Sequence, residues 1–199
     1  DFTDQSERVR VYDPEVQALI MKHSGASGVV VFDHTIRVSD EDGQKAIGAR
    51  PTVKGVHNDY TESSAPRRLR EIVGDEEAER RFRKRWAIIQ VWRPIRGTVL
   101  TEPLGICDGR SIPQQGFIRV ERRYRDRTGE VYHIAYNPQH QWFYFPRMKR
   151  NEALVFKVFD SDQSKPSRFT AHSAFDDPDT RADAPRRESI ETRAFAFFD

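Results

Sequence analysis

Cysteine is almost missing from this sequence. Cys107 stands alone among 199 residues, which excludes an internal disulfide and any thiolate-rich zinc or iron–sulfur centre. A single thiol suits a reducing compartment, so a cytoplasmic location is expected. A surplus of one charge is missing too: 33 Lys and Arg against 31 Asp and Glu leave a net charge of +2, and the pI near 8.7 reflects that small excess rather than a basic arm. Arginines cluster around Arg80–Arg85 and Arg119–Arg127, but acidic and apolar residues interrupt both runs. They read as solvated faces, not as a nucleic-acid patch. No apolar run approaches the ~20 residues of a membrane span, and the opening DFTDQSERVR does not resemble a signal peptide. The chain also lacks a glycine-rich phosphate loop, a G-x-S-x-G elbow and a paired-glutamate site. Its length is enough for one domain with a sizeable core.

What is present is mainly strand. Asp13-Pro14-Glu15 reads as a capped helix start, with the helix over Pro14–Lys22. Val29–Phe32 reads as a short buried strand, Arg37–Ala49 as a mobile loop, and Pro51–Asp59 as extended. Pro66–Val73 and Asp75–Arg85 are helical, the second with acids at its start and bases at its end, matching the helix dipole. From Trp86 onward, eight segments rich in β-branched and aromatic residues follow: Ala87–Arg93, Val99–Cys107, Gly116–Tyr124, Val131–Tyr136, Gln141–Phe145, Ala153–Phe159, Arg168–Phe175 and Glu188–Phe198. Turn residues punctuate the gaps, as at Asp126–Gly129 and Pro146–Asn151. Many short strands without intervening helices predict a mainly β fold, a jelly roll (double-stranded β-helix, cupin-like), over residues 1–199. Residues 1–86 form its mixed helical and extended N-terminal part.

Only six histidines are available. His57 stands in Val56-His57-Asn58-Asp59-Tyr60-Thr61, and in extended backbone residues i and i+2 share a face. His57 and Asp59 therefore offer an imidazole nitrogen and a carboxylate oxygen to one ion. A lone H-x-D tripeptide is also compatible with a turn whose histidine bonds the backbone. A third ligand would complete a two-His-one-carboxylate facial triad, the pattern of non-haem iron(II) centres with open coordination positions. His172, in RFTAHSAF late in the strand-rich region, is the best third ligand; His133 and His140 compete and read as structural.

Downstream lies Arg186–Arg193. As a strand it places Arg187, Ser189, Glu191 and Arg193 on one face, and Ile190, Ala194 and Ala196 on the other. Four polar residues on one side of a barrel strand are explained by a polar cavity, with a charged, solvent-exposed edge strand as the alternative. An arginine fork assisted by a serine hydroxyl suits a carboxylate such as the far end of 2-oxoglutarate, with Arg187 and Arg193 both available. Elsewhere, Trp142–Phe145 reads as alternating core and surface packing or as an aromatic wall. Lys157 reads as snorkelling or paired, and Cys107 as a small buried residue.

The segments VHNDYT, VWRPI, PLGICDGRS, YNPQHQWFYFPRM, EALVFKVFDS, FTAHSAFDDP and PRRESIETR, in this order, resemble the cephem-methoxylase-related and gibberellin-desaturase-like oxygenases. The resemblance runs from about Val29 to the C-terminus. It implies an iron(II)- and 2-oxoglutarate-dependent hydroxylase or desaturase of secondary metabolism, acting with dioxygen on a small molecule. It places iron at His57, Asp59 and His172, and 2-oxoglutarate near Arg187, Ser189 and Arg193, where Arg-x-Ser is similar to an anchor pattern of this enzyme class. Trp92-Arg93 and Tyr60 are implied to line or support the site. Family members carry residues before the position of Asp1, so a trimmed or incomplete N-terminus is expected. Two other readings stand beside this one: a jelly-roll carrier with an inactive metal site, and a cupin-like metal enzyme that uses no keto acid. Neither substrate nor oligomeric state is legible in the sequence.

Overall fold

The computed structural model describes residues 1–123 and 128–199. The helices are α1 (Gln5–Glu7), which runs through a π-helical turn at Arg8–Tyr12 into α2 (Asp13–Ser24), then α3 (Glu41–Ile47), α4 (Ser64–Val73) and α5 (Asp75–Phe82). The strands are β1 (Gly28–Val38), β2 (Arg50–Pro51), β3 (His57–Asn58), β4 (Arg85–Arg96), β5 (Leu104–Cys107), β6 (Phe117–Arg123), β7 (Thr128–Ile134), β8 (Trp142–Tyr144), β9 (Leu154–Asp160), β10 (His172–Ala174) and β11 (Glu188–Phe198). They form two sheets, β2-β1-β11-β4-β9 and β6-β7-β3-β10-β5-β8. Among these strands only β1 and β2 pair in parallel. This mainly antiparallel two-sheet arrangement is the expected jelly-roll core. No helix of the described residues is long and apolar enough to cross a membrane.

Alternation along β4 and β11 builds two cores. Trp86, Ile88, Trp92, Phe195 and Phe197 belong to a cluster shared with Leu154, Phe156 and Val158 of β9. Their neighbours Ala87, Ile89, Val91, Ile190, Ala194 and Ala196 face the other way, toward Val16 and Ile20 of α2. Side chains of a strand point to opposite faces in turn, so one sequence serves both layers. The alanines let the helix approach the sheet, and Val16 and Ile20, four residues apart, lie on the same side of that helix.

All eight expected strands after Trp86 are present, with shorter cores at β5, β8 and β10. Tyr124, the last residue of one expected strand, and the turn beginning at Asp126 lie outside the described residues, as does the end of the basic run at Arg127. The N-terminal part departs from expectation in three places. Helix begins well before Asp13, capped by Asp4, while Asp13 instead takes the His34 Nε2 at 2.9 Å. The first strand does not stop at Phe32 but continues to Val38, because pairing with β11 resumes beyond a bulge between Val31 and Asp33. The expected mobile loop Arg37–Ala49 contains α3, whose first turn is closed by Asp40 accepting from the Gly43 N–H at 2.7 Å. Gly43 is required there, since a Cβ would stand 2.6 Å from the Val38 side chain. The aromatic run also differs: Trp142, Phe143, Tyr144 and Phe145 are all exposed, on and just after the edge strand β8, where Tyr144 meets Phe175 edge-on at 5.2 Å.

Asp160 closes β9 with a fully buried carboxylate. Arg85 Nη2 and Lys157 Nζ donate to it at 2.9 and 2.7 Å, so Lys157 is a paired residue. Burial would raise its pKa, but Arg85, Lys157 and the Asp162 N–H overcome this and hold it below the usual value. A carboxylate lowered by folding stabilises the fold fully above its unfolded value of about pH 4, and that contribution is lost as pH falls through the native value. Asp160→Asn is expected to destabilise the protein by about 3 kcal/mol at neutral pH. Urea unfolding at pH 7 and pH 3 should show the difference shrinking in acid.

Candidate metal centre

His57 and His172 are brought together by strand pairing. β3 lies between β7 and β10, and in the β3–β10 ladder His57 is directly opposite His172. Their ring centroids stand 4.6 Å apart. Asp59 follows β3, with Oδ1 3.5 Å from His57 Nε2. One ligand atom from each of His57, Asp59 and His172 lies within 4.8 Å of the others. His133 and His140 fall outside this group: His133 is exposed on β7, and the His140 N–H closes a turn on the Asn137 carbonyl.

The two imidazoles are oriented from behind. His57 Nδ1 lies 2.7 Å from the Gly55 carbonyl and His172 Nδ1 lies 2.9 Å from the Thr170 carbonyl. A carbonyl only accepts, so each Nδ1 carries the proton and each Nε2 presents its lone pair to the shared space. His172 Nε2 is buried without a hydrogen-bond partner. Such an orphaned acceptor is costly unless something outside the chain binds it. Two nitrogens and one carboxylate oxygen match a divalent transition metal with positions left open.

Arg193 stands behind the carboxylate. Its Nε donates to Asp59 Oδ2 at 2.8 Å, Nη1 to Asp33 Oδ2 at 2.5 Å, and Nη2 to Glu191 Oε1 at 2.5 Å. The bulge in β1 makes this possible: Phe32 stacks on Phe195 at 4.3 Å, and the next residue, Asp33, comes opposite Arg193. Burial alone would raise the Asp59 pKa, but the guanidinium and the two imidazoles hold it well below the usual carboxylate range. Glu191 is likewise held at about 2 despite burial, by Arg193 and Arg37. Burial and the neighbouring His57 push His172 down to about 4, whereas the Asp59 carboxylate outweighs burial and raises His57.

At the start of β11 and just before it, Ser189 and Arg187 are buried at 1% and 2% exposure. Arg187 donates Nη1 to the Glu102 carbonyl and lies 5.5 Å from the Trp92 ring, but its Nε is orphaned, as are Ser189 Oγ and Gln90 Oε1. Burial without a carboxylate in contact lowers the Arg187 pKa to about 10. The β11 alternation is therefore as read from the sequence, with the polar face inward. Of the expected supporting residues, Trp92 lies beneath Arg187 and Tyr60 lines the approach to the metal group. Arg93 does not: it belongs to the other face of β4, near Phe2 and Tyr12.

Asn58 went unnoticed in the sequence. Its fully buried amide donates to the Tyr60 and Val158 carbonyls at 2.7 and 2.9 Å, and its carbonyl accepts the Thr170 N–H at 3.1 Å. One side chain thus ties the H-x-D segment to the residues leading into β10. Its only sequence signal was its place between two candidate ligands.

The family model described as "Oxidoreductase/YMDC permease-like domain" matches residues 1–197. The alpha-ketoglutarate-dependent dioxygenase phiK of Fungal sp. (strain ATCC 74256) is 34% identical over 206 residues, covering 100% of this chain and 73% of that protein. This chain belongs to the iron(II)- and 2-oxoglutarate-dependent dioxygenases. The chain is also similar to the hydroxylase/desaturase CTB9 of Cercospora beticola, 34% identical over 94% of this chain and 63% of that protein. The solved structure of the iron and alpha-ketoglutarate-dependent endoperoxidase NvfI matches with a TM-score of 0.87 and 30% identity, over 96% of this chain and 73% of the other. The chain thus spans between 63% and 73% of the length of these proteins.

Replacing Asn58 by Ala removes the partner of three backbone groups, the buried Val158 carbonyl and the half-buried Tyr60 carbonyl and Thr170 N–H, and is expected to cost about 2–3 kcal/mol. Chemical denaturation measures this, and the loss should exceed that of Asn137→Ala, a turn residue of the same type.

Proposed function

We propose that this dioxygenase hydroxylates or desaturates a small organic molecule of secondary metabolism, with iron(II) and 2-oxoglutarate as cofactors and dioxygen as co-substrate. Residues 1–199 act as one oxygenase domain, with the H-x-D segment contributed by the mixed region 1–86. The reading rests above all on His57, Asp59 and His172, whose ligand atoms lie within 4.8 Å of one another with both imidazoles presenting Nε2.

In this reading His57 Nε2, Asp59 Oδ1 and His172 Nε2 hold the metal, and Arg193 keeps Asp59 Oδ2 occupied so that the carboxylate binds through one oxygen. Arg187 and Ser189 hold the distal carboxylate of 2-oxoglutarate: they are the buried, unsatisfied donors at the start of β11, and an arginine fork suits that group. Arg193 is the poorer anchor, because three carboxylates already occupy its donors. Bound iron(II) supplies the redox chemistry that consumes dioxygen and the keto acid, releases succinate and carbon dioxide, and oxidises a C–H bond of the substrate. The protein orients the reactants and excludes bulk water, and its single buried thiol suits the reducing cytoplasm.

The names of the dioxygenases it resembles favour this over an inactive carrier, and the orphaned donors of Arg187 and Ser189 favour it over a metal enzyme without keto acid. Anaerobic titration with iron(II) and 2-oxoglutarate should produce the visible absorption band of a keto-acid chelate, and His57→Ala or Asp59→Ala should abolish it. A band that survives in those variants overturns the ligand assignment. Separate titrations distinguish the two arginines. Arg187→Gln should raise the 2-oxoglutarate concentration needed by about tenfold to a hundredfold with iron affinity unchanged. Arg193→Gln should instead weaken iron itself by about tenfold or more.

A further inference from the structure

A cleft of about 480 Å³ opens over His57, Asp59 and Arg193, walled by β1, the start of α4 and the β6–β7 pair. Among the described residues that line it, seven of eighteen are arginines and four are carboxylates, and the aliphatic side chains are Val53 and Val131. The carboxylates are already matched within the protein. Asp59 and Asp33 bind Arg193, Glu71 binds Arg68 at 2.9 Å, and Glu130 accepts the Ser63 and Thr61 hydroxyls. Arg37 is satisfied by Glu191. Among the described residues, Arg50, Arg67 and Arg122 meet no carboxylate within salt-bridge distance, and all three are exposed at the cleft, while Arg123 pairs with Glu121 at 3.6 Å. Arg122 adjoins residues outside the described ones, which leaves Arg50 and Arg67.

A hydrocarbon substrate placed here would strip water from these guanidinium groups and give nothing in return, a large cost for ions. A carboxylate would receive charge-assisted, fork-shaped hydrogen bonds instead. We infer that the substrate carries an anionic group of carboxylate type, seated on Arg50 and Arg67, while its oxidised carbon reaches inward toward His57 and Asp59. Arg50 and Arg67 are specificity-determining residues in this arrangement, and the inference rests on the oxygenase reading above.

2-Oxoglutarate is itself an anion, so the test is made after it has bound. The protein, loaded anaerobically with iron(II) and saturating 2-oxoglutarate, is titrated calorimetrically with adamantane-1-carboxylate and with adamantane-1-carboxamide, which share one hydrocarbon cage and differ in charge. The carboxylate should bind about tenfold more tightly or better, as expected for a charge-assisted pair. The preference should fall to about threefold or less in Arg50→Gln/Arg67→Gln, and it should weaken with added salt. Both residues are exposed, so the double variant should keep its thermal midpoint and its keto-acid band. Equal binding of the two probes, binding of neither, or a preference that persists in the double variant overturns the inference. A double variant that loses 2-oxoglutarate affinity but keeps the carboxylate preference also overturns it, assigning the arginines to cosubstrate entry. Failure of the keto-acid band to form in the unaltered protein would instead remove the oxygenase reading, and this inference with it.

Discussion

The arrangement of the site depends on one buried guanidinium. Arg193 holds Asp59, Asp33 and Glu191 together, and Arg37 adds a second cation against Glu191. Two positive groups face three carboxylates, which leaves one excess negative charge beside two imidazoles. That balance explains why His57 is drawn toward protonation while the more deeply placed His172 is not. Without Arg193, three carboxylates would crowd one low-dielectric space, and neutralising some of them would remove the charge that attracts a metal.

Around that ion cluster, hydrogen bonds to backbone supply the precision. The two histidines face each other because their strands pair, and each is turned by a carbonyl two residues before it. Asn58 then joins the H-x-D segment to the ends of β9 and the approach to β10. These groups come from strands rather than from free loops, so they are preorganised. The inner polar face of β11 carries the sequence of donors from Arg193 back to Arg187, with Phe195 and Phe197 closing its other end.

The fold is shared with an endoperoxidase and with hydroxylase/desaturases. One scaffold therefore hosts enzymes with different names and activities. In this chain the walls of the cleft over His57 and Asp59 are charged and rich in arginine. The aromatic strand β8 lies at the opposite edge of its sheet from β6, whose last residues help wall the cleft.

The sequence by itself determined what depends on near neighbours. Runs of β-branched and aromatic residues marked the eight strands after Trp86, period-two alternation marked the polar face of β11, and the charges of Asp75–Arg85 marked the dipole-matched helix, which ends at Phe82. The three side chains singled out from H-x-D and RFTAHSAF stand together. Local rules failed where a distant partner decided. The polar half of β1 reads as loop until β11 pairs with it, α3 is capped by one aspartate in a polar stretch, and the aromatic β8 lies exposed at a sheet edge. Only tertiary structure separates the surroundings of Arg187 and Arg193, which have the same chemistry six positions apart. One meets carboxylates from residues 59 and 33, and the other meets none. Charge pairing acts through space at a few ångströms, and a chain folded into two sheets sets those distances without regard to sequence separation.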